Sequence, residues 1–94
     1  KKNFHVFHIF AVSHPRRELI LKKMRSKNIN LNIHYPYPIH TMKGYKKFTC
    51  GKCNYLFETE KKAKMIFSLP IYPSINNYEI ESIIQNINKI VSKI

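Results

Sequence analysis

Hydrophobic and polar positions divide the chain into seven segments. FHVFHIFAVS at 4–13 puts Phe4, Val6, His8, Phe10 and Val12 on one face of an extended chain, and Phe7, Ile9 and Ala11 on the other. Apolar character on both faces predicts a strand covered on both sides. HPRRELILKKMRSKN at 14–28 predicts a helix. Pro15 suits its first position, Leu19, Ile20 and Met24 form an apolar stripe, and Lys22, Lys23 and Lys27 face water. Asn28 stands where a helix ends in a left-handed residue, a position that Asn fills after Gly.

INLNIHY at 29–35 alternates cleanly. Ile29, Leu31, Ile33 and Tyr35 point one way, and Asn30, Asn32 and His34 the other. The pattern predicts a strand with a dry face and a polar face, with His34 on the polar one. A long loop with Pro36, Pro38, Gly44 and Gly51 runs to about Phe57; loops of that length in compact domains are usually functional. Glu58–Ser68 predicts a helix with acids in its first turn and Ala63, Ile66 and Phe67 at core spacing. LPIYP at 69–73 predicts a short strand bounded by prolines. The last twenty residues carry Ile80, Ile83, Ile84, Ile87, Ile90, Val91 and Ile94 at helical spacing, and Asn76 with Glu79 forms a capping-box signature.

Composition changes this picture in limited ways. Ninety-four residues make one small domain that buries about two-thirds of its unfolded surface. The formal net charge is +12 and the sequence pI is about 9.9, a balance that raises the possibility of a polyanion partner. Yet Ile, Lys and Asn account for 37 of the 94 residues, the bias of an AT-rich genome. Only Lys61, Lys62 and Lys64 cluster, so the lysines read as a solvated surface rather than a nucleic-acid footprint. No apolar run approaches the ~20 residues of a membrane-spanning helix, and no signal peptide is visible. A start at Lys1 that runs at once into a strand suggests a piece of something longer.

Candidate chemistry is sparse. CGKC at 50–53 has metal-knuckle spacing, but a structural zinc needs four ligands and a second CxxC is missing; His34 and His40 are the residues that could complete a set. A redox role needs a strand-to-helix junction and a lowered thiol pKa, whereas this motif sits in a basic loop. Two plain surface thiols are the simpler reading, and no structural metal is expected. The chain has no Asp and only two Gly, so there is neither a Ser–His–Asp triad nor a glycine-rich phosphate loop. No catalytic residue is assigned. His5 and His8 read as structural. IHYPYPIH at 33–40 is different, because Pro36 and Pro38 stiffen the backbone beyond a strand end and present His34, Tyr35, Tyr37 and His40. Metal site, nucleic-acid surface and one wall of a pocket all remain open from these residues alone.

Arg16 to Leu19, Asn28-Ile29, His34-Tyr35-Pro36 with Pro38, His40 and Tyr45, then Ser68-Leu69-Pro70, Pro73 and Glu79-Ile80 succeed one another in a familiar order. Over nearly the whole chain this resembles the C-terminal segment of DegT/StrS-type nucleotide-sugar aminotransferases, pyridoxal-phosphate enzymes of the aspartate-aminotransferase fold. Two departures stand out: Asn28 replaces the usual Gly, and ETEK replaces the usual start of the next helix.

The resemblance implies an α+β domain, a small antiparallel or mixed sheet of about three strands packed against three helices, although element order alone would favour parallel crossovers. It implies that residues 1–94 are the small C-terminal domain of a longer enzyme, whose large domain holds pyridoxal phosphate through a lysine with no counterpart here. No cofactor is then expected on this chain, nor activity from it alone. The parent would be a cytoplasmic homodimer, without membrane contact, that moves an amino group from an amino acid, glutamate by expectation, to a keto-sugar nucleotide for surface polysaccharide or deoxyaminosugar synthesis. His34, Tyr35, His40 and Tyr45 would line the wall facing the nucleotide sugar, and replacing either histidine with Ala should change stability by less than ~1 kcal/mol. The competing reading is a stand-alone basic module that binds nucleic acid or another polyanion.

Overall fold

A computed structural model describes residues 2–48 and 56–94. It is an α+β arrangement of strand β1 (Phe10–Ser13), helix α1 (Arg17–Arg25), two 3-10 turns (Ile39–Thr41 and Lys43–Phe48), helix α2 (Phe57–Ala63), strand β2 (Ile66–Leu69) and helix α3 (Asn77–Ser92). The two strands are antiparallel, with Phe10 opposite Leu69 and Ser13 opposite Ile66. Three strands were expected. The third is reduced to a single bridge between Asn32 and Ser68.

The β1–β2 ladder ends at the Phe10–Leu69 pair. Ser68 turns its main-chain N–H and C=O to Asn32, so Pro70 faces that side too, and its missing amide hydrogen removes the next bond of the third strand, towards Asn30. Residues 4–9 lie outside the sheet, and Phe4 is 91% exposed. The expectation of a long strand covered on both sides is corrected to a four-residue strand with an open apolar approach.

Helix α1 begins at Arg17, two residues after Pro15, and buries Ile20 and Met24. The chain leaves it through Asn28 at φ 60°, in the left-handed region as its position predicted. Ile29, Leu31 and Ile33 then turn inward to differing degrees while Asn30, Asn32 and His34 stay exposed. The alternation is right, but its last member departs. Tyr35 adopts φ 56°, which ends the extended run and leaves it 81% exposed instead of on the dry side.

The segment read as a helix from Glu58 to Ser68 divides in two. Helix α2 ends at Ala63, and Ile66–Leu69 form β2, so Phe67 reaches the core from a strand. Residues 69–73, expected as a strand, contribute only Leu69 to one. Helix α3 matches its expected start. The Asn76 side chain accepts from the Glu79 N–H, and the Glu79 carboxylate accepts from the Asn76 N–H.

The core is Ile20, Met24, Leu31, Phe67 and Ile90, with Val12, Ile29, Ile83 and Ile87 packed around it. Part of the α3 stripe lies outside it: Ile80 and Ile84 help line an apolar groove of about 340 Å³ with Phe7, Phe10 and Ile71. Among the described residues, no helix is long and apolar enough to cross a membrane. The CGKC motif lies outside the described residues.

Candidate functional site

Strand β2 organises the polar side of the sheet. With Phe67 buried in the core, strand alternation turns Ser68 to the opposite face. Ser68 lies opposite Ala11 in β1 and exchanges both main-chain hydrogen bonds with Asn32: its N–H donates to the Asn32 carbonyl at 2.7 Å and its carbonyl accepts from the Asn32 N–H at 3.2 Å. His34 is two residues beyond Asn32 and so shares that face. Its Nδ1 lies 2.8 Å from Ser68 Oγ.

The result is a cleft of about 460 Å³ with His34 and Tyr35 on one wall and Asn30 and Asn32 beside them. Ser68 of β2 lines it as well, with Pro70 and Tyr72 just beyond the strand. His8 also reaches it from the segment before β1. The cleft offers imidazole, amide and phenol groups on an apolar frame, a lining suited to a polar ligand with both hydroxyl and ring faces.

Tyr72 is fixed by the start of α3. Its hydroxyl donates to Glu79 Oε2 at 2.9 Å, the oxygen that also accepts from the Asn76 N–H at 3.1 Å. The hydrogen bond to Glu79 holds the Tyr72 phenol above the usual tyrosine pKa, and partial desolvation and the carboxylate's charge push the same way.

The four residues expected to line one wall separate into two groups. His34 and Tyr35 share the cleft. His40, on the first 3-10 turn, instead places Nε2 2.9 Å from Glu60 Oε1 of α2. Glu60 lines a second cleft of about 490 Å³ with Arg17, Tyr37 and Pro38. Tyr45 lies exposed on the second 3-10 turn. His5 accepts the Phe7 N–H at 2.8 Å, in line with its structural reading, whereas His8 lines the cleft. From the sequence, Ser68 entered only within the Ser68-Leu69-Pro70 stretch and Tyr72 only within LPIYP, neither as a site residue. Asn30 and Asn32 were placed on the same polar face as His34, and that alternation was the available signal.

No lysine is among the residues lining the His34 cleft.

Comparison of the sequence with known proteins points to a family. The chain is 40% identical over 91 residues to the dTDP-3-amino-3,4,6-trideoxy-alpha-D-glucose transaminase of Micromonospora megalomicea subsp. nigra, covering 96% of this chain and 24% of that protein. It is 31% identical over 85 residues to the dTDP-3-amino-3,6-dideoxy-alpha-D-galactopyranose transaminase of Aneurinibacillus thermoaerophilus, covering 90% and 23%. A pleiotropic regulatory protein of Geobacillus stearothermophilus is 28% identical over 89 residues, covering 89% and 22%. The chain spans about a quarter of the length of these relatives. With its residues 1–88 matched by the family model, the chain belongs to the DegT/DnrJ/EryC1/StrS aminotransferase family.

Proposed function

We propose that this chain is the small C-terminal domain of a pyridoxal-phosphate-dependent sugar aminotransferase, and that its His34 cleft forms one wall of the nucleotide-sugar site. The observation that carries the reading is 40% identity, across almost the whole chain, to a protein named as a dTDP-aminosugar transaminase. The polar lining around His34 and Tyr35 supports it, because imidazole and phenol groups hydrogen-bond sugar hydroxyls and phosphates and stack on sugar rings.

In this reading glutamate gives up its amino group and leaves as 2-oxoglutarate, and the amino group replaces the keto oxygen of the sugar. The cofactor supplies the electron sink and is held by the remainder of a longer protein, which acts as a homodimer in the cytoplasm. The present chain binds and orients. His34 and Tyr35 engage the nucleotide sugar directly, while His40 and Tyr45 shape the adjoining loop.

The test uses the longer protein loaded with pyridoxal phosphate. Glutamate and a dTDP-linked keto-sugar are supplied, and 2-oxoglutarate is measured. The expected result is stoichiometric amino transfer, with His34→Ala impairing sugar turnover more than cofactor retention. Absence of transfer, together with DNA or RNA binding that weakens steeply with salt, would instead favour the polyanion-binding module.

A further inference from the structure

Ser68 is 5% exposed, and among the described residues its hydroxyl has a single hydrogen-bond partner, His34 Nδ1. Two arrangements fit the 2.8 Å separation. In one, the Nδ1–H donates to Oγ, and the buried Ser68 hydroxyl hydrogen has no acceptor. In the other, the hydroxyl donates to a bare Nδ1, and the remaining hydrogen lies on Nε2 of the exposed His34 ring, open to the cleft. Buried donors without acceptors are costly. The second arrangement therefore wins, and it places the ring proton of His34 on Nε2.

We propose that Ser68 is a positioning residue for His34: its hydroxyl holds the imidazole as the Nε2–H tautomer, so that the ring presents a hydrogen-bond donor to an acceptor oxygen in the cleft. The backbone is well placed for the task. Ser68 is anchored through both main-chain hydrogen bonds to Asn32 and lies opposite Ala11 in β1, so its Oγ starts from a fixed strand position. His34 lies in the segment that pairs with it. Among the described residues, Nε2 makes no hydrogen bond. The assignment of the oxygen to a phosphate or hydroxyl of a nucleotide sugar rests on the function proposed above; the coupling of Ser68 to His34 does not.

The coupling is read by nitrogen NMR on the 15N-labelled chain, with the His34 signals assigned through His34→Ala. For the neutral ring a single tautomer is expected, with Nδ1 bare and Nε2 protonated. Ser68→Ala should return the ring to an exchanging mixture, seen as the two nitrogen shifts moving toward each other. Ser68→Thr, which keeps the hydroxyl and suits a strand, should restore the wild-type pattern. A protonated Nδ1 in the wild type, or an unchanged ring in a folded Ser68→Ala, overturns the proposal.

The ligand assignment has its own readout. In the longer protein loaded with cofactor, Ser68→Ala should raise the KM for the dTDP-linked keto-sugar several-fold with a smaller change in kcat, and Ser68→Thr should reverse the rise. An unaltered KM with the NMR pattern intact removes the sugar as the acceptor and leaves the tautomer device standing. A wild-type protein that transfers no amino group to any keto-sugar defeats the functional reading instead.

Discussion

Arg17 Nη1 donates to the carbonyl of Ala63 at 2.7 Å, across 46 residues of sequence. The same nitrogen reaches the Ile66 carbonyl at 3.2 Å, and the guanidinium also meets Glu18. Only 13% of the Arg17 side chain is exposed. One cation thus holds the start of α1 to the turn between α2 and β2. Arg17→Ala should destabilise the chain by about 2–3 kcal/mol, since hydrogen bonds from a charged donor are the stronger kind and two carbonyls lose a partner. Arg17→Lys should recover only part of this, because an ammonium cannot reproduce the fork. Urea denaturation of the three proteins checks both statements.

The two histidines of the 33–40 string should behave differently. His40→Ala breaks only a part-exposed pair with Glu60 and should cost less than ~1 kcal/mol. For His34 the buried Ser68 partner raises the expected cost. His34→Ala strands the Ser68 hydroxyl and should cost about 1–2 kcal/mol, and adding Ser68→Ala should recover part of that loss. A double-mutant cycle measures the coupling, expected at about 0.5–1.5 kcal/mol. Strict additivity would contradict the hydrogen bond.

Local signals carried much of the fold, and long-range ones did not. Asn28 at the end of α1, the Asn76–Glu79 box and the Ile20–Met24 stripe are each written within a few neighbouring residues, and each reads correctly. The run containing Ala63, Ile66 and Phe67 fits a helical period as well as a strand. The deciding contacts lie elsewhere in the chain: Arg17 takes the Ala63 and Ile66 carbonyls, and β1 pairs with Ile66–Leu69. The site divides in the same way. Alternation placed Asn30, Asn32 and His34 on one face, but the Ser68 partner is 34 residues away and carries no local mark.

Asn28 offers a stabilising change. At φ 60° any residue with a Cβ is strained, and Gly is not. Asn28→Gly should raise stability by a few tenths to about 1 kcal/mol, because Asn already tolerates this region better than most. A shift of the thermal midpoint to higher temperature is the measurement; a lower midpoint would mean that the Asn side chain makes a contribution the backbone angle does not reveal.

Tyr72 and Glu79 supply a pH dependence. The folded-state pKa of Tyr72 lies above its unfolded value of about 10. The contribution of its hydrogen bond to Glu79 is therefore fully present below that pH, and is lost as the pH rises through the folded value. Glu79→Gln should lower the Tyr72 titration toward the ordinary value, as tracked through its ring resonances. The same substitution weakens the α3 cap, so the titration, rather than stability alone, is the diagnostic reading.

The open approach before β1 has a colloidal consequence. Phe4 and Val6 are bare on a chain with a formal charge of +12, so contact attraction and charge repulsion oppose each other between copies in solution. At about 0.01 M salt the Debye length is about 30 Å and repulsion keeps molecules apart; at about 1 M it is about 3 Å and apolar contacts can form. Added salt should therefore drive the osmotic second virial coefficient from positive towards negative, making dilute buffer the medium in which this chain stays dispersed.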